Sequence, residues 1–238
     1  AHDFNIEIFL DIGSVKNRQL INVTMKAKNL GKEWCSALMG IYVFTGEDCT
    51  SAFKGKGKVN PLKPLMKNPK FHKPFENLGT DWKILDETLD LLEAFVCLMY
   101  GYARDTSVNL VRLKCLKKMI GEDETLHNKS KVDLSRLPPC KDSLYPHIQR
   151  VNYLLACYKR AIEPIFERPK PDDENQGWIL GEEGLLEPLW SHGAILPTCL
   201  VDILDMQNSA EKEEIFDDID FKLEDDDEND DETFDEEL

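Results

Sequence analysis

Apolar residues along this chain recur mainly at helical spacing and alternate at strand spacing in only a few places. Phe4 to Ile12 partly alternates apolar and polar side chains and stops at Gly13, which predicts a strand. One strand forms no sheet, so it requires partners later in the chain or upstream of it. Ile21 to Leu30 and Lys32 to about Thr45 have helical spacing, with Gly31 between them. Lys58 to Leu78 carries Pro61, Pro64, Pro69 and Pro74, so only short helices fit there.

The second half is helical as well. Asp86 to Tyr100 is apolar nearly all round, the pattern of a helix buried on most sides. Val108 to Ile120 predicts a more basic helix, and a polar loop follows from Gly121 to Lys131. From Ser143 to Ile162, residues Leu144, Ile148, Val151, Leu155, Tyr158 and Ile162 recur three or four apart and form one stripe. Glu167 to Gln176 reads as a linker, Gly177–Leu180 with Leu185–Trp190 as a small hairpin, and Pro197–Met206 as a short helix. These elements divide the chain at 1–80, 81–166, 167–209 and 210–238.

Charge changes this picture. The 238 residues carry a net charge of −16, but residues 210–238 alone hold 17 acids against 2 lysines. The body is therefore within one unit of neutrality, and the tail is predicted to be disordered by self-repulsion. The longest apolar run, Phe95 to Tyr100, is far short of the roughly 20 residues that cross a bilayer, so no membrane partner is expected. Residues 1–5 show no signal-peptide pattern, and the chain lacks an initiating Met, which reads as a processed product or a fragment. Seven cysteines, odd in number and without a Cys-x-x-Cys pair, read as reduced thiols of an intracellular protein, nuclear or cytoplasmic.

Inside the near-neutral body, Cys49 to Phe75 holds seven lysines and no acid. Within it, Gly55 and Gly57 permit a tight turn whose backbone N–H groups can face an anion, with Lys54, Lys56 and Lys58 around it. A phosphate-binding surface and a merely solvated lysine face both account for this stretch. Cys140 and His147 stand too far apart for a usual zinc pair, and no Gly-x-Ser-x-Gly elbow is present. The four tryptophans, Trp34, Trp82, Trp178 and Trp190, are expected in the core by default.

Two motifs in this stretch carry a resemblance. Gly46-Glu47-Asp48 closes a helix, and Phe53-Lys54-Gly55-Lys56-Gly57 follows at a seven-residue step from Asp48 to Gly55. Leu20 to about Lys67 thereby resembles the helix–two-turn–helix region of the flap-endonuclease group, within the PIN-like nuclease fold. The segment 35–46, together with Leu-Pro-Pro-Cys at 137–140 and Arg-Val-Asn-Tyr at 150–153, is also similar to transposon-associated, PIN-like proteins of invertebrate genomes. The resemblance implies a mostly α fold, α/β if completed upstream. Residues 1–80 would be the partial PIN-like region and 81–166 a helical extension.

It also implies roles. Asp48 matches a catalytic, metal-binding carboxylate, and the implied cofactor is Mg²⁺ or Mn²⁺, which in such nucleases activates water for phosphodiester hydrolysis. Gly55 and Gly57 match the element that grips a nucleic-acid backbone without reading its sequence, and Lys54, Lys56, Lys58 and Lys63 are expected to add positive charge to the same surface. The family also carries an Asp-x-Asp on an early strand, and none precedes residue 48 here; Glu47 and Cys49 depart from its pattern too. The implied protein is the C-terminal half of a nuclease fold, binding DNA or RNA but inactive alone. Asp11 is the one local candidate for a second acid, and a strand-end turn residue is the commoner role at such a place. The competing reading is a non-catalytic scaffold that binds basic proteins through the acidic tail. Two further roles for the tail are to keep the protein soluble, the commonest one, and to fold over the lysines and compete with nucleic acid.

Overall fold

Among the described residues of this computed structural model, 6–120, 133–173 and 175–193, helices carry the core and two short hairpins flank it. The chain divides at Pro197 into two units, and all described residues belong to the first. The expected helix at 197–206, the loop at 121–131 and the acidic tail at 210–238 lie outside the described residues.

The N-terminal strand finds its partner nearby. β1 (Phe9–Ile12) pairs antiparallel with β2 (Gln19–Asn22), with Leu10 opposite Ile21 and Asp11 opposite Leu20. The helix expected from Ile21 begins two residues later, as α1 (Val23–Leu30). The cause is Asn22, which stays extended and caps the helix by accepting a hydrogen bond from Met25 N at 2.8 Å. Thr24 Oγ1 accepts from Ile8 N at 2.8 Å, which ties the strand's approach to the helix. Gly31, at φ +84°, ends α1 with its N–H on Ala27 O and lets the chain turn into α2 (Lys32–Phe44).

α2 is the centre of the core. Phe44, fully buried at its end, meets the rings of Phe53, Phe75, Phe95 and His147 at centroid distances of 5.3 to 6.4 Å. Gly40 on the same helix allows close approach, because a Cβ there would lie 2.4 Å from Phe75 O. The proline-rich segment makes short helices as expected: α3 (Val59–Lys67), a 3₁₀ turn at Pro69–Phe71, and α4 (His72–Asn77). Pro64 lies inside α3, and Asn68 Nδ2 donates to its carbonyl at 2.8 Å as the helix ends.

α5 (Asp86–Met99), α6 (Val108–Ile120) and α7 (Lys141–Lys159) complete the body. Leu144, Ile148, Val151 and Leu155 of the predicted stripe are fully buried. The stripe does not continue to its end: α7 stops at Lys159, Tyr158 is exposed, and Ile162 lies beyond the helix in solvent. Burying four apolar side chains of this size stabilises the fold by roughly 6–10 kcal/mol before chain entropy is subtracted.

Polar side chains buried within this core hold the loops. Asn152 Oδ1 accepts from Gly79 N at 2.8 Å, and its Nδ2 donates to Asp81 O and Trp82 O. Gly79 takes φ +76° and sits so close to α7 that a Cβ would reach 2.5 Å from the Leu155 carbonyl carbon. Trp82 packs nearby against Tyr153, and Trp34 against His72. Glu93, 3% exposed, accepts from Val108 N at 2.9 Å at the start of α6 and pairs with Lys141 of α7 at 3.1 Å. Pro146 has no N–H for the carbonyl of Asp142 four residues back, and His192 N donates to that carbonyl instead, at 3.0 Å. The chain end that includes the hairpin β3 (Trp178–Leu180) and β4 (Leu186–Pro188) is thereby docked on α7.

Candidate nucleic-acid interface

The carbonyls at the C-terminal end of α2 are short of helical partners, and side chains join the backbone N–H groups of Thr45 and Gly46 in satisfying them. Thr45 Oγ1 donates to Ile41 O at 2.8 Å, and Thr50 Oγ1 to Val43 O at 2.9 Å. Lys58 Nζ closes the set on Gly46 O and Tyr42 O, where a cation also suits the negative end of the helix dipole. Gly46, at φ +107°, starts the turn, and a Cβ there would strike Ala52. Asp48 and Cys49 form the exposed tip of this turn.

Residues 54–58 turn again before α3. Gly55 and Gly57 both take positive φ, +77° and +58°, as the glycine pattern predicts. Among the described residues, neither glycine's N–H has a hydrogen-bond partner; Lys56 N instead donates to Phe53 O at 3.1 Å. Nothing lies within 4 Å of where a Cβ on Gly57 would stand, so that face of the turn is open.

The lysines around the turn divide into two sets. Lys54 Nζ bonds to Asp133 Oδ2 at 2.8 Å and Ser135 Oγ at 2.6 Å, a contact that pulls the Asp133 carboxyl down to about 2. Lys56 lies half-buried, its ammonium 4.1 Å above the Tyr100 ring; burial lowers its pKa. Lys58 stacks on Tyr42 at 4.0 Å while holding the end of α2, and burial lowers its pKa as well. These three ammonium groups serve the fold. Lys63, and Lys67 one turn further along α3, are exposed and have no hydrogen bond or ion pair among the described residues.

Asp48 makes no hydrogen bond or ion pair either. Its neighbour Glu47 accepts from Tyr158 OH at 3.4 Å, and burial followed by the charges of Glu47, Cys49 and Asp48 raises that phenol. Among the described residues, no group of three or more His, Cys, Asp or Glu side chains is placed to hold a metal ion. A divalent cation requires several oxygen ligands. Asp48 with Glu47 alone does not fit Mg²⁺ or Mn²⁺, and no hydrolytic step follows from them. Asp11 is committed elsewhere, to a two-pronged ion pair with Arg18 that lowers its pKa.

Three polar residues that the sequence did not bring together as one site gather beside this region: Arg112, His147 and Arg150. A trace was legible in α7, since His147 and Arg150 stand three apart and flank the stripe residue Ile148. Comparison with protein-family models, curated proteins and solved structures finds no significant match to this chain. No helix among the described residues is long and apolar enough to cross a membrane.

Proposed function

We propose that this chain is the nucleic-acid-binding part of a PIN-like, flap-endonuclease-like protein of transposon origin, inactive by itself as a nuclease. The observation that carries the reading is the pair of unpartnered N–H groups at Gly55 and Gly57, in an acid-free segment whose Lys63 and Lys67 face solvent. Free backbone N–H groups and mobile ammonium groups recognise phosphate oxygens without regard to sequence. In this reading the weight of the interface lies on the lysines of α3 rather than on Lys54, Lys56 and Lys58 around the glycines, whose ammonium groups are engaged within the fold. In this reading Asp48, on the turn after α2, would be one of several metal carboxylates, the others not being supplied by the described residues.

Fluorescence anisotropy with short single- and double-stranded DNA and RNA tests this. The full chain is expected to bind with an affinity that falls steeply with salt. Lys63→Glu with Lys67→Glu should reduce the salt slope by about 2, while Lys58→Gln should act mainly on stability. Salt-independent binding, or equal binding by the double variant, would sink the reading. A second reading, an interaction protein without catalysis, is favoured by the exposed apolar side chains of β1 and β2, which bind no phosphate. In that reading the tail of net charge −15, outside the described residues, would take basic partners.

A further inference from the structure

A pocket of about 540 Å³ opens between the strap 51–54, the end of α5, α6, the segment 134–139 and α7. That volume suits a small organic molecule. Its wall includes Arg112, Arg150, His147 and three serines, Ser51, Ser135 and Ser143. Among the described residues no carboxylate lines it. Lys54 also stands on its wall, its ammonium held by Asp133 and Ser135, whereas Lys56, Lys58 and the exposed Lys63 of α3 do not line it.

The hydrogen bonds of both arginines go to carbonyl oxygens, and Arg150 also lies over the rings of Trp178 and Trp190. Arg150, 2% exposed, donates through Nη1 to Gly177 O at 3.1 Å and Leu189 O at 2.6 Å. Arg112 Nη1 donates to Pro138 O. Neither has an ion pair with a carboxylate among the described residues. A buried guanidinium without a counter-charge is costly, and carbonyl anchors orient it without neutralising it. Burial lowers Arg150 to about 10, so it stays charged at neutral pH. Tyr100 is raised to about 12 and remains a phenol that can donate.

His147 supplies the complementary signal. It is 5% exposed, and its Nε2 lies 2.9 Å from Phe44 O. A carbonyl only accepts, so Nε2 carries the proton and Nδ1 is left as an acceptor. That Nδ1 is buried with no hydrogen-bond partner. Ser135 is already committed to Asp133 and Lys54, so two cations without a carboxylate, the hydroxyls of Ser51 and Ser143 and one orphaned acceptor together ask for an anion that also brings a donor. A carboxylate has two oxygens for these donors, whereas a phosphate has three and matches Arg forks well. Trp190, 65% exposed, adds a broad aromatic surface at the pocket, 5.6 Å from the Arg150 guanidinium carbon.

We propose that this pocket binds a phosphate monoester of a nucleoside, with the phosphate on Arg112, Arg150, Ser51 and Ser143 and a ligand O–H or N–H on His147 Nδ1. The aromatic wall provides for the base. This inference does not rest on the nucleic-acid reading: a chain that fails to bind DNA or RNA can still fill this pocket.

Isothermal titration of the full chain with adenosine 5′-monophosphate, adenosine and inorganic phosphate tests it. The monophosphate is expected to bind saturably with one site, at least tenfold more tightly than either fragment. Arg112→Gln, which keeps a donor for Pro138 O, should lose at least tenfold. His147→Gln, which keeps a donor for Phe44 O, should weaken the monophosphate and leave inorganic phosphate unchanged. Lys63→Glu should change nothing. Circular dichroism identifies a variant that fails to fold, and the wild-type ligand series then decides alone. Absence of saturable monophosphate binding by the wild type, or full binding by folded Arg112→Gln, overturns the proposal.

Discussion

Helix α7 and the N-terminal hairpin break the inside–outside rule in opposite directions. Around α7, charged and polar side chains are buried: His147, Arg150 and Asn152 on the helix itself, and Glu93 facing it from α5. On β1 and β2, large apolar side chains are in solvent: Phe9, Leu10 and Ile12 on one strand and Leu20, 68% exposed, on the other. Leu10 and its opposite number Ile21 share one face, while Phe9 and Leu20 belong to the other, so neither face is the wet side of a half-buried sheet. Each buried polar group on α7 but one has found its partners within the described residues. Among the described residues the ribbon's large apolar side chains stay in solvent, and two strands alone are marginal in water. What the contrast teaches is where the molecule is self-sufficient and where it is not.

The largest effect tests the self-sufficient half. Glu93→Ala removes the acceptor for Val108 N and leaves the ammonium of Lys141 without its carboxylate, at the junction of α5, α6 and α7. A loss of about 3 kcal/mol of unfolding free energy is expected, measured by urea titration. Glu93→Gln keeps an acceptor for Val108 and should lose about 1 kcal/mol. If both variants unfold with the wild type, the buried polar groups are not what joins these helices.

The next effect is set by pH. Burial, with the charge of Arg150 adding to it, lowers His147 to about 4 against its ordinary 6.5, and the bond to Phe44 O opposes the shift only in part. The folded protein thus holds fewer protons than the unfolded chain between those values. The neutral histidine's stability is fully present above about 6.5, is lost as pH falls, and is gone below about 4. At pH 5 the loss is about 2 kcal/mol. His147→Gln should flatten the stability profile between pH 6.5 and 4, and an unchanged profile in that variant would assign the acid sensitivity to other groups.

What could be read from the sequence divides along the same line. The four stripe residues of α7, the proline-limited lengths of α3 and α4, and the positive φ of Gly55 and Gly57 all follow from local spacing and residue type. The engagement of Lys54 and Lys56 does not, because Asp133, Ser135 and Tyr100 reach them only through the tertiary fold. The burial of Arg150 likewise depends on Gly177 and Leu189, carbonyls that any residue could supply and that leave no mark on composition. The start of α1 at Val23 was readable after all, since Asn22 is a strong cap, but the apolar periodicity from Ile21 outweighed it. The candidate site was legible as a place and not as a set of contacts.

The smallest effect on stability belongs to the ribbon, and it is the sharper test of the contrast. Leu10→Ser with Leu20→Ser substitutes one side chain on each face, both already exposed, so unfolding free energy should change by no more than about 0.5 kcal/mol. The surface should change far more: an environment-sensitive hydrophobic dye should bind less, and any concentration-dependent association seen by sedimentation should weaken. A large loss of stability with no change in dye binding would mean that the ribbon's side chains are already packed in the free protein. A small loss with reduced association means that the apolar faces act between molecules. In that case the hairpin is where a further strand, from this protein or a partner, completes the sheet, and the α7 half needs no such cover.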